Sequence, residues 1–187
     1  MADFIISIRP EPDASRDVDW LRRYQVPAMA VPVMHAEQQP FNLPDLALFQ
    51  AIIFTSRHAV AAFGNLSRQV SLRSLPVYAV GRSTALAARQ AGFKQVTSGP
   101  GDGKGLLTLM IADLCQDAGK ILWPRANIIS FDIASHLAEF GFSVRQIPVY
   151  AMAPTASHVA DLSARLAACS SAAVLAMSAR SMALFSQ

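Results

Sequence analysis

Residues Ala51–Phe63, AIIFTSRHAVAAF, decide the fold. An apolar run breaks at Thr55-Ser56 and turns into a segment with apolar residues at helical spacing, the pattern of a buried strand feeding a helix. The chain carries this pattern twice. At an offset of 122 positions, Ala173–Phe185 (AVLAMSARSMALF) sets Val174 under Ile52, Leu175 under Ile53, Ser178 under Ser56 and Phe185 under Phe63. Ile5–Arg9 (IISIR) recurs as Ile121–Arg125 (ILWPR), and Pro32-Val33 as Pro148-Val149. An internal repeat of this size implies two similar structural units.

Working outward, strands and helices alternate along the chain with short connections. Strands are predicted over 4–8, 28–34, 51–54, 77–80, 95–97, 120–123, 143–149 and 172–177. Helices are predicted over 13–24, 56–63, 83–92, 106–118 and 128–140. Gly92, Gly119 and Gly141 fall where helices stop, the place for a left-handed residue. Gln38–Pro44 reads as a connection. This alternation predicts an α/β fold of right-handed βαβ units, parallel sheets flanked by helices in a flavodoxin-like manner. Two lobes follow from the repeat. Residues 37–153 form a complete five-stranded lobe inserted into a discontinuous lobe of residues 1–36 and 154–187. The discontinuous lobe has three strands only and lacks about 50 residues of a complete unit. Its last strand leaves an edge that is exposed, covered by a partner chain, or disordered.

Composition narrows the function. Apolar residues make up 52% of the 187, charged ones 16%, so the chain can bury a core. Sixteen Lys and Arg against 13 Asp and Glu leave a net charge of +3, scattered without a basic block, which argues against nucleic acid. No apolar run reaches membrane length and the N-terminus does not read as a secretion signal, so the expected location is the cytoplasm. Cys115, in the helix predicted over 106–118, and Cys169, in a further stretch read as helical before the 172–177 strand, read as buried reduced thiols. His35, His58, His136 and His158 have no metal-ligand spacing. Gly99–Gly103 lacks the Gly-Lys-Ser/Thr ending of a phosphate loop.

In open α/β sheets ligands bind where strands end and helices begin. The positions to inspect are therefore Arg9, Thr55-Ser56-Arg57, Gly81-Arg82-Ser83-Thr84, Arg125 and Ser178. Helix starts suit carboxylate or phosphate, and Arg9 and Arg125 add bidentate donors at matching places in the two units. Each has a plainer alternative: the hydroxyl residues also read as helix caps, the arginines as surface residues. Tyr150, at a lobe crossing, is either a cleft acid or a packed aromatic.

Ile53–Val60 (IFTSRHAV), Ala79–Ala85 (AVGRSTA), Gly92-Phe93, Ile121–Arg125 and Pro148-Val149-Tyr150 occur in the order and spacing of uroporphyrinogen-III synthases, and the chain resembles that family over nearly its whole length. The resemblance implies two α/β lobes joined by two crossings, no metal or organic cofactor, and closure of the linear tetrapyrrole hydroxymethylbilane with inversion of its last pyrrole. It implies Tyr150 as proton donor, and Thr84, Ser56 and Ser178 among the substrate contacts. Arg9, Thr55, Arg57, Gly81, Ser83 and Arg125 complete the expected binding set. The sequence departs from the family pattern at Ala126-Asn127 and Ala179-Arg180, and the second Gly-ended strand with its Thr is absent. The alternative function is a non-catalytic paralogue that binds a tetrapyrrole, another polyanion or a partner chain. The expected state is a monomer at full length, with self-association through the open edge as the other outcome.

Overall fold

A computed structural model describes residues 4–64, 70–155, 162, 166–167 and 170–186. The chain begins with β1 (Phe4–Ser7), α1 (Asp13–Arg23), β2 (Ala28–Ala30) and β3 (Met34–Gln38). A single 3-10 turn (Leu46–Leu48) leads into β4 (Phe49–Phe54), α2 (Arg57–Gly64), α3 (Val70–Ser74), β5 (Val77–Ala79), α4 (Arg82–Gln90) and β6 (Val96–Ser98). Then follow α5 (Gly103–Asp113), β7 (Lys120–Ala126), α6 (Ile133–Glu139), β8 (Val144–Pro154), β9 (Ala172–Leu175) and α7 (Ala179–Phe185). The chain divides into two compact units, Met1–Glu37 with Met152–Gln187, and Gln38–Ala151.

In the second unit β4 is central. Its neighbours are β5 and β7, and the order across the sheet is β3-β8-β7-β4-β5-β6. The five strands β4 to β8 pair in parallel and run 3-2-1-4-5 in chain order, a doubly wound arrangement whose switch point lies between β4 and β7. A strand between two others with helices on both faces must be apolar throughout. Ala51, Ile52, Ile53 and Phe54 are accordingly all fully buried. Ala51 and Ile53 join a cluster with Leu106, Met110, Trp123, Ile133 and Leu137. Phe54 meets Phe63 and Phe93 edge-on, with ring centroids 6.1 and 5.4 Å apart. Each such buried side chain contributes about 1.5–3 kcal/mol.

In the first unit the order is β2-β1-β9, all parallel. The repeat reappears in the pairing register. Ile5 pairs with Ala28 and Ala173; Ile121, at the equivalent place, pairs with Val144 and Ala51. Strands β2-β1-β9 thus correspond to β8-β7-β4. Where β4 continues to β5, β9 has no further neighbour among the described residues, and Ala172 and Ala173 are exposed.

Several expectations need correction. The strand read over 28–34 is two, because Pro32 has no N–H for a ladder and β3 starts only at Met34. β3 falls between the strand read over 28–34 and the connection read over Gln38–Pro44, and it adds a sixth strand at the sheet edge. It runs antiparallel to β8, as the bonds from Thr155 N–H to the Val33 carbonyl and from Gln39 N–H to the Val149 carbonyl require. Helix α5 ends at Asp113 rather than 118, since Leu114 is extended and the Gln50 amide donates to the carbonyls of Cys115 and Gly119. Cys115 is therefore exposed and outside a helix, not buried within one. Helix α6 starts at Ile133, not 128, because Asp132 caps it and accepts from Ser135 N–H. Cys169 and His158 lie outside the described residues. Among the described residues no helix is long and apolar enough to cross a membrane.

Candidate functional site

The second unit has a hollow of about 410 Å³ at the strand ends beside the β4/β7 switch point. Its floor and walls come from four connections. The β4–α2 turn supplies Thr55 and Ser56; Val80 follows β5. The β6–α5 loop supplies Gly101, Asp102 and Gly103. The β7–α6 loop supplies Ile128–Phe131, while Trp123 and Ala126 come from β7 and Tyr150 from β8. That volume falls within the range of small-ligand sites, about 300–1,000 Å³.

The glycines explain how the loops approach so closely. A Cβ on Gly81 would lie 3.1 Å from the Gly101 Cα, and one on Gly99 2.9 Å from the Val80 carbonyl. Bonds from Gly99 N–H to Ala79 and from Gly101 N–H to Val80 zip the two connections together. Gly103 begins α5 directly under the Phe131 ring, which also stacks on His136 at 4.8 Å.

Tyr150 is buried, with 7% of its surface exposed. Burial raises its phenol above the ordinary value, while a hydrogen bond with the Ser56 side chain pulls weakly the other way. The phenol is therefore neutral near pH 7 and holds a proton to give. The His58 ring lies 5.6 Å away, centroid to centroid. Ser56 also accepts from His58 N–H at 3.1 Å, so it caps α2 as well as touching Tyr150. Trp123, 1% exposed, donates its indole N–H to the Thr55 hydroxyl at 3.4 Å. Among the described residues the lining contains no Lys or Arg. The hydroxyls of Thr55 and Ser56 and the start of α2, which carries partial positive charge, line the hollow, whereas the start of α5 is already met by a carboxylate. Asp102 is the lining's acidic residue, and its carboxylate caps α5 by accepting from Gly105 N–H at 2.7 Å.

Of the residues expected from sequence, the hollow gathers Thr55, Ser56 and Tyr150. Arg57 opens α2 and is half-buried, outside the lining. Gly81 caps α4 without a side chain, so neither Ser83 nor Thr84 is the cap; Ser83 is exposed and Thr84 buried. Arg125 lies outside the lining. Its Nε donates to Gln146 at 2.7 Å, and its Nη1 to the carbonyls of Ala126 at 2.6 Å and Asn127 at 3.1 Å.

Arg9 and Ser178 belong to the first unit. Arg9 is held by Asp17 at 2.8 Å and Asp13 at 3.0 Å, and the Ser7 hydroxyl also donates to Asp17. Two carboxylates thus already occupy that guanidinium, beside an apolar hollow containing Ile5, Trp20 and Val174. Ser178 caps α7, accepting from Ser181 N–H at 3.1 Å, the counterpart of Ser56 on α2.

Sequence reasoning misses Gly101–Gly103, Trp123 and Ile128–Phe131. The glycine cluster is visible in the sequence but does not match a phosphate-loop pattern. The Ile128–Phe131 wall hides inside an over-long helix, although Asp132 with Ser135 three residues on is a start signal.

Among the described residues no group of three or more His, Cys, Asp or Glu could hold a metal ion. A family model described as uroporphyrinogen-III synthase HemD matches residues 16–187. A search of curated proteins returns no match. Among solved structures, uroporphyrinogen-III synthetase from Helicobacter pylori is similar with a TM-score of 0.59 at 21% identity, over 88% of this chain and 68% of that one. A mutant uroporphyrinogen III synthase from Thermus thermophilus is similar with a TM-score of 0.55 at 20% identity, over 82% and 64%. At such identities the likeness speaks for the fold, and this chain spans about two thirds of those proteins' length. The family match over 16–187, on the doubly wound fold just described, shows that the chain belongs to the uroporphyrinogen-III synthase family.

Proposed function

We propose that the protein closes hydroxymethylbilane into uroporphyrinogen III, with Tyr150 as the proton donor. Family membership supports the reaction class. The observation that carries the assignment is Tyr150 itself, a buried neutral phenol bonded to Ser56 on the wall of the hollow at the switch point.

The substrate's hydroxymethyl group leaves as water once its oxygen is protonated, because the adjacent pyrrole nitrogen donates electrons into an azafulvene. Tyr150 gives that proton. Attack by the substituted carbon of the last pyrrole forms a spiro intermediate, which fragments and recloses with that ring inverted. The proton finally lost from the newly joined pyrrole restores the balance, so the net change is loss of water. Most of the catalysis is positioning: a flexible chain must bend so that the less accessible carbon attacks. Thr55, Ser56 and the α2 start hold substrate carboxylates, while Trp123, Phe131 and Ile128 offer apolar surface to a pyrrole.

The test is incubation with freshly prepared hydroxymethylbilane and separation of the isomers. The expected product is type III above the spontaneous type I background. Type I alone, with the bilane bound, would instead support the non-catalytic reading.

A further inference from the structure

We infer that Arg125 is a positioning residue that sets Tyr150 in the hollow, rather than a ligand for substrate carboxylates. The inference rests on the reading of Tyr150 as the acid. Three observations carry it. First, β7 and β8 pair regularly from Ile121 to Arg125, and then the register slips: Arg125 faces Pro148, but Ala126 faces Tyr150, leaving Val149 over. A bulge of this kind bends the strand and re-aims the next side chain. Burial along β8 shows it. Pro148 is exposed, Val149 buried, and Tyr150, due to be exposed by alternation, is buried. Second, the Arg125 guanidinium spans the slip. It joins Gln146 on β8 to the carbonyls of Ala126 and Asn127 on β7 and just beyond it. Third, Asn127 N–H donates to the Tyr150 carbonyl at 3.0 Å. The same residue therefore receives Arg125 on its carbonyl and holds Tyr150 through its N–H.

The planar fork matters. One donor group must reach a side-chain amide and two successive carbonyls at once, which a lysine ammonium on a flexible stem does not reproduce. Arg125 also fixes the first residues of the loop whose later part, Ile128–Phe131, walls the hollow.

The test compares Arg125→Lys, Arg125→Gln and Gln146→Leu with wild type. In Arg125→Lys, kcat falls by about 10- to 100-fold, the penalty of misplacing a reacting group by an ångström or less, while KM stays within about threefold. Gln146→Leu keeps the arginine charge and reproduces part of the kcat loss. Amide exchange at Asn127 speeds up by about tenfold in all three, the worth of one hydrogen bond. A substrate-binding role for Arg125 predicts the reverse: KM rises, lysine restores most of the activity, Gln146→Leu is silent, and Asn127 exchange is unchanged. That outcome overturns the inference. Should Arg125→Gln not fold, the other two variants still decide. Should wild type give only the type I isomer, the functional reading fails alone, because Asn127 exchange judges Arg125 without any turnover.

Discussion

Gly103→Ala tests the architecture of the hollow most directly. A Cβ at this position would stand 2.3 Å from Phe131 Cδ1, 2.8 Å from Cε1 and 2.9 Å from Cγ. Carbon atoms rest at about 3.5–4.0 Å, so the ring must retreat by roughly an ångström or more. The backbone itself raises no objection, since Gly103 has no positive φ and opens a helix. Alanine there gains about 0.4–1 kcal/mol by restricting the unfolded chain. Overpacking costs about 1–3 kcal/mol, and loss of the Phe131–His136 stacking adds to it. The net expectation is a loss of about 1–2 kcal/mol, or about 2–8 °C in the melting of the 187-residue chain. Since Phe131 lines the hollow, KM for the bilane rises as well. The assay is thermal melting of Gly103→Ala, Phe131→Ala and the double variant. With the ring removed, the sign reverses and Gly103→Ala becomes stabilising by about 0.4–1 kcal/mol. A single Gly103→Ala variant that melts at or above wild type, or a double variant showing no coupling, refutes the close seating of Phe131 on Gly103.

Tyr150→Phe removes the proposed proton donor without changing shape, and kcat for type III formation drops by about 10²- to 10⁴-fold while binding persists; wild-type kcat in this variant ends Tyr150's role as acid. The raised Tyr150 phenol also sets a pH expectation. The protonated form is both the folded-state favourite and the active one, so its contribution is full below the ordinary value of about 10 and is lost only above that. A pH–rate profile should therefore show no alkaline fall from this group between about pH 7 and 10, and a fall near pH 8 that Tyr150→Phe abolishes contradicts it. Asp132→Ala removes the α6 cap and costs about 0.5–2 kcal/mol by denaturant unfolding at pH 7. Hydrogen bonds from Ser135, with the Arg125 charge a smaller cause, hold the Asp132 carboxyl below its usual range. Its stabilisation is thus present above the ordinary carboxylate value and lost as pH falls through the lower folded one, so the gap between variant and wild type closes in acid. A gap that stays constant down to about pH 2 counts against the cap.

The repeat was legible in the sequence because it lives in local pattern. An apolar run, a serine and a helical period are the same signal at Ala51 and at Ala173, and the pairing of Ile5 with Ala173 and Ile121 with Ala51 shows the two copies used alike. The α/β class, the parallel pairing and the strand-end position of Thr55 and Ser56 follow from that pattern, while the family resemblance rests on the five motifs in their order. Hydroxyl residues at strand ends were visible too, but their duties were not. Ser56 both caps α2 and touches Tyr150, whereas Ser178 caps α7 and Thr84 is buried.

Which strand-end residues meet was settled by long-range packing. Arginines at matching repeat positions diverged because their surroundings differ. Arg9 found two carboxylates, at the start of α1 and one turn along it; Arg125 found carbonyls freed by a register slip. The slip depends on the pairing of β7 with β8, which no local pattern contains. The glycine cluster at 99–103 became part of the hollow because two loops from different strand ends approach within a Cβ's width. Periodicity along the chain is a local property, set by the backbone's own repeat, and a sequence carries it openly. Proximity across strand ends depends on sheet order and register, which arise only when distant segments pair and bury their apolar faces together.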